Sequence, residues 1–536
     1  MKDRRLPEKV RKMKSESVWI ADRGDGTYKN PILYADYSDP DAIRVGDDYF
    51  MISSSFCNTP AIPVLHSKDL VNWKVVSYVL DKIPFSDYDV PAHGRGVWAP
   101  AIRYHNGMFY VFFPMPDEGI FMCKTTNPFG EWSEPACIKK AAGWIDPCPF
   151  WDDDGQVYMI SGVARSRIGY KSVLRLCRLD QDTLDTIDDG REVYDGNLTG
   201  QITVEGPKLY KRNGYYYIFA PAGGVKEGWQ LVLRSRDIWG PYEEKKVLAQ
   251  GGTPINGPHQ GAWVDTISGE DWFLHFQDVG NAGRVVHLQP MHWENDWPVI
   301  GINQNSEGCG EPVLSYRKPD TGHICEPYAP EDSDEFEGNR LGLQWQWNAN
   351  YKDAWYKLDT KEHRLELNSV YITGNLNDAA NLLLQKWPAP RFCATTRLDL
   401  SRLTKQRDIA GMISLGGVYT GLGVICLEDK KRLAQITGEW MKNNERLRMY
   451  EEIHCDEILL KMKVADKEVS FEYCCEFDKE DKNADETGLM WIPAGEKVKA
   501  TPGRWVGVKL GLFCVNREHR TEGVAAAEYF RFHKYF

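Results

Sequence analysis

The chain has 536 residues, more than one hydrophobic core usually organises, so at least two domains are expected. With 42% hydrophobic and 26% charged residues it reads as globular rather than disordered, and no apolar run reaches the length of a membrane span. Its 77 acidic against 65 basic residues, a formal charge of -12, argue against nucleic acid or an anionic membrane as partner and suit a neutral ligand.

The first 19 residues are charged and lack the apolar core of a secretion signal. Thirteen Cys are scattered without a zinc-type C-x-x-C pair, so buried free thiols in a reducing cytoplasm are the expectation. From residue 39 onward a repeat takes over. Five segments share a polar start, an alternating apolar stretch, a turn and an aromatic-rich return: DPDAIRVGDDYFMIS (39–53), WAPAIRYHNGMFYVFF (98–113), DPCPFWDDDGQVYMIS (146–161), EGPKLYKRNGYYYIFA (205–220) and HQGAWVDTISGEDWFLHF (259–276). Their starts lie 59, 48, 59 and 54 residues apart. Turns such as HNG and RNG between β-branched and aromatic runs predict a hairpin in each.

Downstream of each hairpin a second one follows, as in VLHSKDLVNWKVV and LRSRDIWGPYEEKKVL, though less clearly in the third copy. Four strands in about 50 residues is the size of a propeller blade, so residues 1–318 are expected to form a five-bladed β-propeller. Residues 319–332, proline-spaced and ending in an acidic run, read as a linker. Residues 333–536 lack the repeat, and strands such as FCATTRLDL (392–400) and RWVGVKLGLFCV (504–515) predict a lectin-like, jelly-roll β-sandwich, making the whole chain all-β.

Geometry then selects candidate functional residues. If each repeat opens an innermost strand, Asp39, Trp98, Asp146, Glu205 and His259 converge at one mouth of the channel. Hydrolysis of a glycosidic bond needs one carboxylic acid to protonate the leaving oxygen and a second carboxylate to activate water or attack the sugar. Glu205, with no cation before Lys208, suits the acid. Asp39, held extended by the ring of Pro40, suits the base, with Asp41 on the same strand face as its rival. Asp146 repeats the Asp-Pro pair, and a third carboxylate there would keep a proton on the acid and orient it. Singly, each acid would more often cap a strand or bond the adjacent backbone; the joint pattern reverses that and favours catalysis.

His259 is read as a holder of a hydrated metal ion in the channel or as a hydrogen-bond partner of substrate or a catalytic carboxylate. Arg284 is a candidate for gripping sugar hydroxyls or neutralising the acids, against the alternative of a surface arginine. Trp98 and Phe56 are candidate walls of a sugar pocket, with core packing as the competing use. A non-catalytic carbohydrate-binding module or a protein-binding scaffold would explain the architecture but not three carboxylates at matched positions.

These segments, in this order over residues 30–301, resemble glycoside hydrolase family 43, and FEGNRLGLQWQWN (336–348) with the closing EYFRF is similar to the sandwich of its β-xylosidase-like members. The resemblance implies Asp39 as general base, Asp146 as modulator of the acid, Glu205 as general acid of an inverting mechanism, a calcium ion near His259, and substrate contact by Arg284. It implies an exo-acting hydrolase releasing β-1,4-linked xylose, α-L-arabinofuranose or both from xylo- or arabino-oligosaccharides, with assembly of several identical chains left open. The insertion SDYDVPAHGRG before Trp98 would roof the pocket.

Overall fold

The computed structural model describes residues 17–428, 430–478, 486–518 and 523–535. Among these, residues 41–300 form five four-stranded antiparallel sheets, each built from one consecutive stretch of chain with strands in sequence order from the axis outward. The inner strands are Asp41–Val45, Ala101–His105, Trp144–Trp151, Lys208–Arg212 and His259–Asp265. The hairpin chemistry anticipated from sequence is in place: Asn106 and Gly107, then Asn213 and Gly214, all have positive φ, the geometry that matches a two-residue turn to strand twist. Among the described residues no strand is exchanged to close the ring; instead Thr27–Lys29 pairs with Ser315–Arg317, and Leu33 bridges to Val286 of the fifth blade.

Apolar side chains between neighbouring blades form separate clusters, for example Phe50, Ile52, Val64, Phe109, Val111 and Phe113 between the first two. Inter-blade packing therefore fixes the inner strands against one another. From Gln346 onward the described residues form an eight-stranded and a seven-stranded sheet enclosing a core of Trp345, Leu365, Phe392, Met412, Leu422, Leu460 and Phe530. Residues between Arg317 and Gln346 carry no strand. The chain is thus all-β, a five-bladed propeller followed by a sandwich.

The two parts are joined by more than the connecting segment. Thr59 and Trp347 exchange backbone hydrogen bonds at 3.2 and 2.6 Å, Asn58 donates to the Trp347 carbonyl at 3.0 Å, and Gln346 donates to the Pro60 carbonyl at 2.8 Å. The insertion before Trp98 follows this interface: the Tyr88 carbonyl accepts from Asn350 at 2.8 Å, and His93 pairs with the Asn377 carbonyl at 3.1 Å with its ring against Trp440. Instead of a free roof, the insertion is a bracket holding the sandwich to the propeller. Most of the thirteen Cys are buried.

Candidate active site

Asp39 lies two residues before the first inner strand and is 4% exposed. Its Oδ2 accepts from Ser38 Oγ at 2.8 Å and Ser54 Oγ at 2.6 Å, and its Oδ1 from Arg284 Nη1 at 3.0 Å. Arg284 also donates to Ser38 Oγ at 2.8 Å, so it pairs with the Asp39 carboxylate rather than lying on the surface. Asp41 is excluded as a rival: fully buried, its Oδ2 accepts from the Ile102 amide at 2.8 Å and Arg103 Nη1 at 2.7 Å.

Asp146, in the third inner strand, is 2% exposed and accepts from the Gly206 amide at 2.8 Å. That bond ties it to the residue after Glu205. Gly206 has φ 58°, and a Cβ there would meet the Gln260 side chain at 2.6 Å, so only glycine turns the chain this closely. Glu205 has the most accessible carboxylate of the three, with a side chain 27% exposed against 5% for Asp39, and its Oε1 pairs with His259 Nε2 at 2.8 Å. Of the readings open for His259, the geometry gives the hydrogen bond to a carboxylate.

Both Asp-Pro aspartates depart from the extended backbone expected before proline: Asp39 and Asp146 each have φ 55°. Phe56, Gln260 and Trp505 share positive φ, so strained backbone gathers at this mouth, where surrounding packing holds it. Burial, with the Glu205 and Asp39 carboxylates nearby, pushes the Asp146 carboxyl up to about 8, while Lys208 and the Gly206 amide oppose the rise. The Lys208 ammonium is fully buried with no hydrogen-bond partner among the described residues. A site with crowded carboxylates and one retained proton is equipped for acid and base chemistry on the same ligand.

Comparison with known proteins agrees with this geometry. The family model for glycosyl hydrolases family 43 matches residues 28–298, and that for the beta xylosidase C-terminal concanavalin A-like domain matches residues 333–533. The chain belongs to glycosyl hydrolases family 43. It is 42% identical over 404 residues to a protein of Xylanibacter ruminicola, covering 75% of this chain and 73% of that one. It is 30% identical over 569 residues to the β-xylosidase of Formosa agariphila, covering 95% and 92%. Among solved structures, the family 43 protein BlXynB of Bacillus licheniformis superposes with a TM-score of 0.79 at 26% identity, over 95% of this chain and all of that one.

In this family 43 chain the sandwich reaches the site. Trp505 packs edge-on against Trp98 with centroids 4.8 Å apart, and Trp98 lies 6.4 Å from Phe56, so the two aromatics chosen from sequence sit together with a third from the other domain. The Arg167 guanidinium stands 5.0 Å from the Trp98 ring. The loop bearing Trp505 is anchored by Asp36, which accepts from the Gly507 amide at 2.8 Å and from the Arg284 amide at 2.9 Å. At Gly283 (φ 73°) a Cβ would meet Asp36 at 2.4 Å, which explains glycine before Arg284.

Sequence reasoning missed Ser38, Ser54, Asp36 and Trp505 as parts of the site. Ser38 and Asp36 had a signal, their place beside Asp39; Trp505, more than 400 residues away in another domain, had none.

A calcium ion demands six to eight oxygen ligands. Among the described residues no group of three or more His, Cys, Asp or Glu side chains converges on a common point, and His259 has committed Nε2 to Glu205, leaving only the partnerless Nδ1. One imidazole nitrogen is not a protein cage for calcium, so a cation beside His259 would take its remaining ligands from water.

Proposed function

We propose that this family 43 glycoside hydrolase is an exo-acting pentosidase that removes xylose or arabinofuranose from short hemicellulose-derived oligosaccharides with inversion. The observation that carries the chemistry is the pairing of an accessible carboxyl, Glu205 on His259, with the buried, proton-retaining Asp146 behind it, across from Asp39 on Arg284. The proton retained between the neighbouring Asp146 and Glu205 carboxyls passes to the glycosidic oxygen through Glu205, the accessible member, and His259 fixes the direction of its carboxyl. Asp146, too buried to reach substrate, retains a proton beside Glu205 and orients the following peptide through the Gly206 amide. Asp39, oriented by two hydroxyls and a guanidinium, takes the proton of the attacking water.

The pentose specificity is supported by the resemblance to the Formosa agariphila β-xylosidase over nearly the full length of both chains. Phe56, Trp98 and Trp505 supply flat faces for a sugar ring. The test sets wild type beside Glu205→Gln on xylobiose and on the 4-nitrophenyl glycosides of β-D-xylose and α-L-arabinofuranose. Xylobiose cleavage should fall by about 10²–10⁴-fold in the variant, the activated substrates less, because a good leaving group needs little protonation. The anomer released first, followed by proton NMR, reads inversion. No pentose from wild type on any of these substrates would refute the reading. A chelator titration of the wild-type rate tests the calcium expected near His259.

A further inference from the structure

Residues toward the C-terminal ends of the five inner strands meet at the channel mouth away from Asp39 and Glu205. Arg44, His105, Trp151, Tyr210 and Trp263, one from each blade, line a cavity of about 660 Å³ there. Arg103 separates it from the carboxylates. From the second blade its guanidinium reaches Asp41 of the first at 2.7 Å and Cys148 of the third at 2.9 Å, and lies 5.5 Å from the Tyr210 ring of the fourth. This cavity therefore takes no part in the chemistry proposed above.

We propose that it is a second binding site, for a short neutral oligosaccharide. Its charges cancel and are already engaged: Arg44 pairs with Asp265 at 2.5 Å, Lys211 with Asp153 at 2.9 Å and Arg103 with Asp41, while Asp271 accepts from Trp263 Nε1 at 2.6 Å. A charged ligand would have to break one of these pairs, whereas a polyol keeps them and borrows their outer lone pairs and protons. The His105 ring stacks on Trp151 at 4.9 Å and 11°, and Phe150, Tyr210 and Trp263 complete an aromatic lining. Tyr104 stands at the rim 44% exposed. Aromatic faces beside fixed polar groups in a concave site of this size suit two or three sugar units.

The choice of xylose units rests on the pentosidase reading; the neutral, stacking character of the site does not. The experiment is calorimetric titration of xylotriose into Glu205→Gln, which spares the ligand, and into the same protein carrying Tyr104→Ala or Trp151→Ala. Tyr104 packs against Phe109 at the surface, so its replacement leaves the blade folded if the larger Trp151 change does not. Two binding events are expected, one of them weakened at least about tenfold by either replacement. In an otherwise wild-type chain Tyr104→Ala should leave hydrolysis of the nitrophenyl glycosides unchanged. Xylotriose binding indifferent to both replacements would overturn the site. If wild type cleaves no pentoside, the function fails separately, and cellotriose titrated into the same proteins decides this one: Tyr104-dependent binding sustains it, and none overturns it.

Discussion

Charge is buried in both halves of this molecule, but under opposite rules. In the sandwich, Arg397, with a side chain only 5% exposed, is clasped by Glu457 at 2.5 Å and Glu528 at 3.2 Å. Glu445, 4% exposed, receives the Tyr419 hydroxyl at 2.8 Å, the Leu376 amide at 2.6 Å and Arg517. At the propeller mouth Asp39, Asp146 and Glu205 crowd together, Lys208 is buried without a hydrogen-bond partner among the described residues, and two of the acids sit on left-handed backbone. Around Arg397 and Glu445 each buried charge is compensated, as stability demands; at the mouth the Arg284 guanidinium pairs with Asp39 and Asp146 is left among like groups, as proton transfer demands. Only the second arrangement converts stability into reactivity.

That contrast can be broken by substitution. Asp39→Asn should lower turnover of xylobiose by about 10³-fold or more while leaving the melting temperature near wild type, read by steady-state kinetics and calorimetry. Arg397→Met should do the reverse: about 2–4 kcal/mol of stability lost, several degrees in Tm, with turnover per folded molecule intact. If Arg397→Met instead abolished activity in folded protein, the division of labour would be wrong.

Asp146→Asn sharpens the comparison through pH. The folded chain holds the Asp146 proton up to about 8, whereas an unfolded aspartate releases it above about 4. Its contribution to stability is therefore full below the lower value and lost as pH rises through the upper one. Asparagine carries no such dependence, so the variant should match wild type near pH 4 and melt about 2–4 °C higher near pH 8, while being catalytically impaired. A pH-independent difference in Tm would deny the retained proton. The smallest effect is expected where the halves meet: Trp505→Ala should raise KM for xylobiose about three- to tenfold with little change in Tm, since it removes one aromatic wall.

Much of the propeller could be read directly, because each blade is a local hairpin series whose turns carry Asn-Gly or similar pairs and whose period repeats five times. Asp39, Asp146, Glu205 and His259 follow from that repeat, since equivalent positions in a closed ring must converge. The backbone at Asp39 could not be read so: proline alone predicts extension, and the positive φ arises from the hydrogen bonds and packing that over-determine it. Nor could the insertion at residues 86–96 be placed, because its partners Asn350, Asn377 and Trp440 belong to the other domain.

The sequence by itself determined the all-β architecture, the number of blades and the acids that face the channel, since these depend on turn chemistry and periodicity carried within each repeat. Only the tertiary structure decided which hydrogen bonds orient those acids, that His259 serves Glu205, that Arg284 serves Asp39, and that Trp505 and the Gly507 amide come from the sandwich to complete the mouth. Such contacts join residues hundreds of positions apart, and no local pattern encodes a distance that depends on how two separately folded cores are docked.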